Sequence, residues 1–185
     1  MKSSQSYIME TPDMKISEPN WWGFSILPIW NNRHRDLPYT MRPFNDQDAV
    51  NSWRAVGFSQ ERFQGDLYDM RNIEPEWMSK VLEQFTWQKL AWSLYRMMPG
   101  HLLPLHRDLY TKYIEIFQIA NPNNIRRAII FLEDWSSGHY FEIDDTPILK
   151  WKAGDGVAWN YDTPHIAGNV GFEARYTLQI TGVQE

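Results

Sequence analysis

The 185-residue chain contains no cysteine. That excludes a disulfide framework and any thiolate metal site, so a metal bound here must be held by nitrogen and oxygen. Long apolar runs are missing too. Nowhere do about 18 apolar residues follow one another, and the first twenty residues lack the hydrophobic stretch of a secretory signal. A soluble, cytoplasmic protein with no membrane partner is therefore the expectation. Positive charge is scarce: 18 Lys and Arg against 23 Asp and Glu leave a net charge of −5. This argues against nucleic acid as a partner, since a phosphate backbone requires clustered cations, although Arg126-Arg127 forms a local basic pair. No internal repeat or low-complexity segment is present. What is plentiful is aromatic side chains, 15% of the chain with ten tryptophans, enough to fill a core or line a pocket.

The length fits one domain spanning 1–185. Residues 1–20 are polar and aperiodic and read as a tail. From 21 to 90 the pattern predicts a helical and irregular support. It holds one short strand within 21–30, then one or two short helices between 45 and 72, with Asn45 or Asp46 as the cap before Ala49, Val50 and Trp53. Glu74-Pro75-Glu76 opens the clearest helix, in which Trp77, Val81, Leu82 and Phe85 recur on one face. From 91 to 183, period-two alternation and turn clusters such as Pro99-Gly100 and Gly154-Asp155-Gly156 predict eight strands. These fall at 92–98, 102–108, 127–133, 140–143, 148–151, 156–159, 165–169 and 174–181. The expected fold class is mainly β with flanking helices: a double-stranded β-helix, or jelly roll, of cupin-like kind, with N-terminal helices packed on one sheet. The stretch 109–124, carrying Tyr110, Tyr113 and Phe117, does not fit the barrel and reads as a lid or as a surface hairpin.

His106 and Asp108, in Pro-Leu-His-Arg-Asp, share one face if 102–108 is a strand. An imidazole and a carboxylate side by side are two of the three ligands of the 2-His-1-carboxylate facial triad, which leaves open positions on Fe(II). His165, in Thr-Pro-His-Ile-Ala-Gly-Asn on the seventh barrel strand, is the candidate third. Taken singly, His-x-Asp also describes a hydrogen-bonded pair on a solvated strand, and His165 also reads as a core or turn histidine. Convergence of the second and seventh strands at one mouth is what makes a site of them. His34, His101 and His139 have no partner at ligand spacing and read as surface or hydrogen-bonded residues.

Arg175 opens an alternation in which Arg175, Thr177 and Gln179 share one face while Tyr176, Leu178 and Ile180 share the other. On an edge strand it would point to solvent. Pointing inward it needs an anion, because an unpaired buried charge is costly, and a guanidinium beside a metal predicts a small carboxylate-bearing co-substrate. Arg126 and Arg127 are the next candidates for that role.

Over 90–183 the chain resembles the Fe(II)- and 2-oxoglutarate-dependent oxygenases. The matching features are His106-x-Asp108, His165, Arg175 ten residues later, and the phrases Arg-Arg-Ala-Ile-Ile-Phe-Leu-Glu-Asp-Trp-Ser-Ser-Gly and Lys-Ala-Gly-Asp-Gly-Val-Ala-Trp-Asn. Within them it is similar to the prolyl hydroxylases and the aspartyl/asparaginyl β-hydroxylases, the latter through Pro-Leu-His-Arg-Asp and through His165, Asn169, Gly171 and Arg175 in sequence. The resemblance implies Fe(II) on His106, Asp108 and His165. It also implies 2-oxoglutarate chelating through its keto and C1 carboxylate oxygens, with its C5 carboxylate on Arg175, and O2 consumed as succinate and CO2 leave. Thr177 and Tyr95 are expected as supporting contacts, each on the inward face of its strand. A carboxylate at position 108 fills the place a halide takes in related halogenases, so the expected outcome is hydroxylation. The implied substrate is an amino-acid side chain, free or in a peptide or protein, with proline first and Asp or Asn second. Arg107, Lys112 and Asn169 are its expected polar handles at the mouth. The competing reading is a cupin-like barrel that binds a small ligand or isomerises a sugar without redox chemistry. Residues 1–90 match no family.

Overall fold

The computed structural model describes residues 19–44 and 46–184. Among them, eleven strands form two antiparallel sheets. The larger runs in the order β1 (Trp21–Ser25), β9 (Asp155–Asn160), β6 (Ile125–Phe131), β11 (Arg175–Val183), β4 (Gln88–Met97), β3 (Gln64–Asp69) and β2 (Thr40–Pro43). The smaller runs β5 (Leu102–His106), β10 (His165–Asn169), β7 (His139–Ile143) and β8 (Thr146–Ile148). This is the expected jelly roll, and alternation within its strands explains the layering. Ile129, Phe131, Val157, Trp159 and Tyr95 face inward onto Phe141, Ile143 and Ala167 of the smaller sheet. Their neighbours Ala128, Ile130, Leu94, Leu178 and Ile180 face outward, where they are covered by Met78 and Val81 of helix α2 (Met78–Leu82) and by Trp77, which precedes it. Fully burying one such aliphatic or aromatic side chain contributes about 1.5–3 kcal/mol.

The N-terminal half differs from the expectation. It supplies three strands of the large sheet, and β3 lies inside the stretch read as helical. Its sequence, Gln-Gly-Asp-Leu-Tyr-Asp, is too polar to announce a strand, but pairing with β4 from Asp66↔Arg96 to Asp69↔Ser93 satisfies its backbone. One helix, α1 (Gln47–Ala55), does form in that stretch, with Asp46 accepting from the amides of Asp48 and Ala49. The alternative cap, Asn45, and the first eighteen residues of the expected tail lie outside the described residues. The helix expected from Glu74 onward is confined to the five residues of α2. The strand expected at 148–151 sits earlier, as β8, and Trp151 is instead buried in the core, stacked on Phe131. A third helix, α3 (Thr111–Phe117), replaces the hairpin considered for 109–124. It is bracketed by Tyr110 and Gln118, both in the left-handed region, and pinned by Tyr113 Oη donating to the Lys89 carbonyl at 2.8 Å. Not every helix is therefore N-terminal. No helix among the described residues is long and apolar enough to cross a membrane.

Candidate metal centre

Two neighbouring strands of the smaller sheet bring the histidines together. His106 ends β5 and His165 opens β10, directly opposite in the antiparallel register, with ring centroids 4.2 Å apart. Asp108 does not continue β5 as expected. The strand stops at His106, and the irregular segment after it brings the carboxylate to 3.9 Å from Nε2 of His165. A single ladder position thus holds both histidines, while the acid comes from a loop. Arg107 ties that loop to the one preceding His165, donating to the Asp162 carbonyl at 2.6 Å and to its carboxylate at 2.9 Å. The three ligand atoms lie within 4.8 Å of one another. Three donors on one face of an ion, at bonds of about 2.0–2.2 Å, stand roughly 3 Å apart, so these side chains would draw together by up to about 2 Å to share one.

The histidines are oriented for ligation. Nδ1 of His106 lies 2.7 Å from the Pro104 carbonyl and Nδ1 of His165 lies 3.1 Å from the Thr163 carbonyl. A carbonyl only accepts, so Nδ1 carries the proton in each and Nε2 keeps its lone pair. Burial, first of all, lowers the pKa of both. His165 is pushed down to about 4, with His106 as the second cause. Both rings are therefore neutral at pH 7. Burial by itself would raise the Asp108 carboxyl, but the Arg127 guanidinium, followed by the two imidazoles, outweighs it and holds the acid below its ordinary value. Arg127 Nε stands 3.8 Å from Asp108 Oδ2. Aromatic rings wall the pair: Phe44 and Trp53 stand edge-on to His106 at 5.1 and 5.8 Å, and Trp159 lies 5.1 Å from His165. Trp53 also donates to the Leu105 carbonyl at 3.1 Å. The N-terminal half thus buttresses a candidate ligand.

A cavity of about 910 Å³ opens from this cluster, lined by the three candidate ligands and by Tyr95, Arg127, Arg175 and Gln179 among others. Arg175 is 4% exposed. It donates to the Tyr140 carbonyl at 2.6 Å, its Nε has no partner, and no carboxylate among the described residues pairs with it. Burial pulls its pKa down to about 10. Thr177 and Tyr95 stand opposite each other in the β11–β4 register. The Thr177 hydroxyl is buried without a partner, and the Tyr95 hydroxyl reaches only the Gln64 carbonyl, at 3.4 Å. Tyr95 fits because position 65 is glycine: a Cβ there would come within 1.9 Å of its hydroxyl oxygen.

Of the two readings of the remaining histidines, surface or hydrogen-bonded, the second holds: His34 and His139 are buried and tied, His34 to Glu133 at 2.9 Å and His139 to the Glu173 carbonyl at 2.9 Å. His101 is half-buried against Gln64. Asn169, expected as a handle at the mouth, is fully buried and clamps the backbone at Met97, Gly171 and Glu173. Arg107 is occupied by Asp162. Lys112 does line the cavity, with Tyr113, Ile116 and Phe117 of the same helix. The sequence pointed to Arg127 as part of a basic pair and, after Arg175, as a candidate for the co-substrate carboxylate, but not as a neighbour of Asp108. Its sign as an inward residue was the alternation with Ile129 two positions on.

No family model matches the chain, and no curated protein resembles it in sequence. Solved structures do resemble it in fold. A prolyl-4-hydroxylase from Pseudomonas putida superposes with a TM-score of 0.52 at 13% identity, covering 80% of this chain and 92% of that one. A predicted oxalate decarboxylase from Thermotoga maritima gives 0.41 at 14% identity, over 65% and 82%, and the cupin domain of Schizosaccharomyces pombe Cnp3 gives 0.40 at 12%, over 70% and 74%. At these identities the likeness is one of fold alone.

Proposed function

We propose that the protein is an Fe(II)- and 2-oxoglutarate-dependent dioxygenase that hydroxylates a C–H bond of an amino-acid side chain. The observation that carries this reading is Arg175, a buried guanidinium without a carboxylate partner among the described residues, lining the same cavity as a two-histidine, one-carboxylate cluster. A barrel that only bound or isomerised a small molecule at a metal would not need that charge. Such an unpaired cation is costly unless a bound anion completes it.

The donor set suits iron: two neutral imidazole Nε2 atoms and one carboxylate oxygen, from three residues that line the cavity, would hold it. Iron held there would supply O2 activation and, with 2-oxoglutarate consumed as co-reductant, the oxidising power to hydroxylate an unactivated C–H bond. The chain does the rest. Arg175 grips the distal carboxylate of the co-substrate through paired hydrogen bonds, and the unsatisfied Thr177 hydroxyl adds a donor beside it. Tyr95 packs along the same wall. Phe44, Trp53, Phe141 and Trp159 keep bulk water from the ligands. The Pseudomonas putida neighbour is named a prolyl-4-hydroxylase, which agrees with proline as the first substrate to try and Asp or Asn as the second.

Incubation with Fe(II), 2-oxoglutarate, air and a panel of amino acids and peptides should release succinate and add one oxygen to a panel member. Both products should depend on Asp108 and Arg175. Succinate formed only with nucleobases or other non-amino-acid metabolites would refute the substrate class alone. Metal-dependent turnover of a sugar or organic acid without 2-oxoglutarate would place the chain with the non-redox cupins.

A further inference from the structure

Beyond Arg175 and Thr177 the inward face of β11 continues to Gln179, four residues along and roughly 13 Å from Arg175 at about 3.3 Å per residue. Gln179 lines the same cavity, where the wall also includes Ser93 of β4 and Lys112 and Ile116 of α3. A five-carbon diacid gripped at Arg175 is only ~6 Å long, given C–C bonds of about 1.5 Å, so it leaves Gln179 uncovered.

The orientation of this amide is fixed. Arg127 donates through one terminal nitrogen to Gln179 Oε1 and through the other to Thr181 Oγ1 at 2.7 Å, and Ser93 Oγ donates to the same Oε1 at 3.4 Å. A guanidinium has no acceptor atom, so the amide oxygen must face Arg127. The two N–H donors on Nε2 are then the part left for a ligand, and they have no partner among the described residues. The same stretch of wall offers the Lys112 ammonium, another donor, while its acid, Asp69, is taken by Arg71 at 2.9 Å. Through Arg127 the amide is also one side chain removed from Asp108.

We infer that Gln179 is the substrate-binding donor of this cavity, holding a carbonyl or carboxylate oxygen of an amino-acid or peptide substrate beside the metal ligands. The inference rests on the oxygenase reading above.

Two substitutions separate a donor from a structural prop. Gln179→Glu keeps the size and gives Arg127 a stronger acceptor, but it has no N–H; Gln179→Ala removes both. Mn(II)-loaded protein saturated with 2-oxoglutarate is titrated calorimetrically with the twenty amino acids, their N-acetyl amides and tripeptides centred on each residue. Wild type should bind at least one member. Both variants should weaken that binding at least tenfold, because a site built to donate to an oxygen discriminates strongly once the donor is lost. Their affinities for Mn(II) and 2-oxoglutarate should stay within about twofold of wild type, which also reports that the fold is intact. Normal substrate binding in Gln179→Glu, with a loss only in Gln179→Ala, would make Gln179 a support for Arg127 and overturn the inference. So would a wild type that takes up Mn(II) and 2-oxoglutarate but binds no panel member. A wild type that fails to bind Mn(II) or 2-oxoglutarate would overturn the oxygenase reading first and this inference with it.

Discussion

Replacing Arg175 by methionine distinguishes a guanidinium kept for a ligand from one kept for the fold. In the free protein its burial brings the pKa down to about 10, and that fall from the ordinary value corresponds to roughly 3 kcal/mol of cost to the folded state at neutral pH. The sign follows from the direction. A cation whose folded pKa lies below its unfolded one destabilises the fold at every pH below the folded value, and the cost fades only above about pH 10. Methionine fills similar volume without charge. It gives back that cost but strips the Tyr140 carbonyl of its donor, a loss of about 1–3 kcal/mol. The free variant should therefore be as stable as wild type or up to ~2 kcal/mol more stable, a rise in Tm of at most about 8 °C for a chain of this size. The ligand response should go the other way. With Mn(II) present, 2-oxoglutarate at a hundred times its Kd should stabilise wild type by about 2.7 kcal/mol. In Arg175→Met, losing a charged contact worth ~2–5 kcal/mol should cut that gain to below about 1 kcal/mol. Thermal melts with and without 2-oxoglutarate read both quantities. A variant several kcal/mol less stable that still answers to 2-oxoglutarate would refute the reasoning and make Arg175 a structural residue.

Two further predictions follow from the same geometry. In metal-free protein His165, held near pKa 4 by burial and by His106, takes up its proton later than it does in the unfolded chain. Stability present above about pH 6.5 should therefore fall by up to ~3 kcal/mol as pH drops toward 4, and His165→Asn should flatten that part of the Tm-versus-pH curve; an unchanged slope would show that another group carries it. Gly65→Ala drives a Cβ into the Tyr95 ring, so it should destabilise by about 1–3 kcal/mol. Gly65→Ala combined with Tyr95→Ala should lose clearly less than the sum of the two single changes in chemical denaturation, and strict additivity would mean that the two positions do not meet.

Local chemistry made part of this protein readable before any coordinates. Period two along 175–180 assigned Arg175, Thr177 and Gln179 to one face, because a strand has no other way to distribute its side chains. The lack of cysteine reduced any metal site to nitrogen and oxygen ligands, and the glycine and proline clusters marked the turns of the jelly roll. Other features are products of pairing partners far away in the chain. Gln64–Asp69 is a strand because Gln88–Met97 offers it a free edge, and its own polar residues carry no such signal. His106 and His165 face each other through a register set by the whole smaller sheet. Asp108 reaches them by leaving its strand, which period-two reasoning cannot anticipate. Arg127 and Trp53 likewise became part of the site only when β6 and α1 packed beside β5 and β11. Sequence alternation fixes which way a side chain points relative to its own strand, whereas the group it meets there depends on long-range packing that no local pattern encodes.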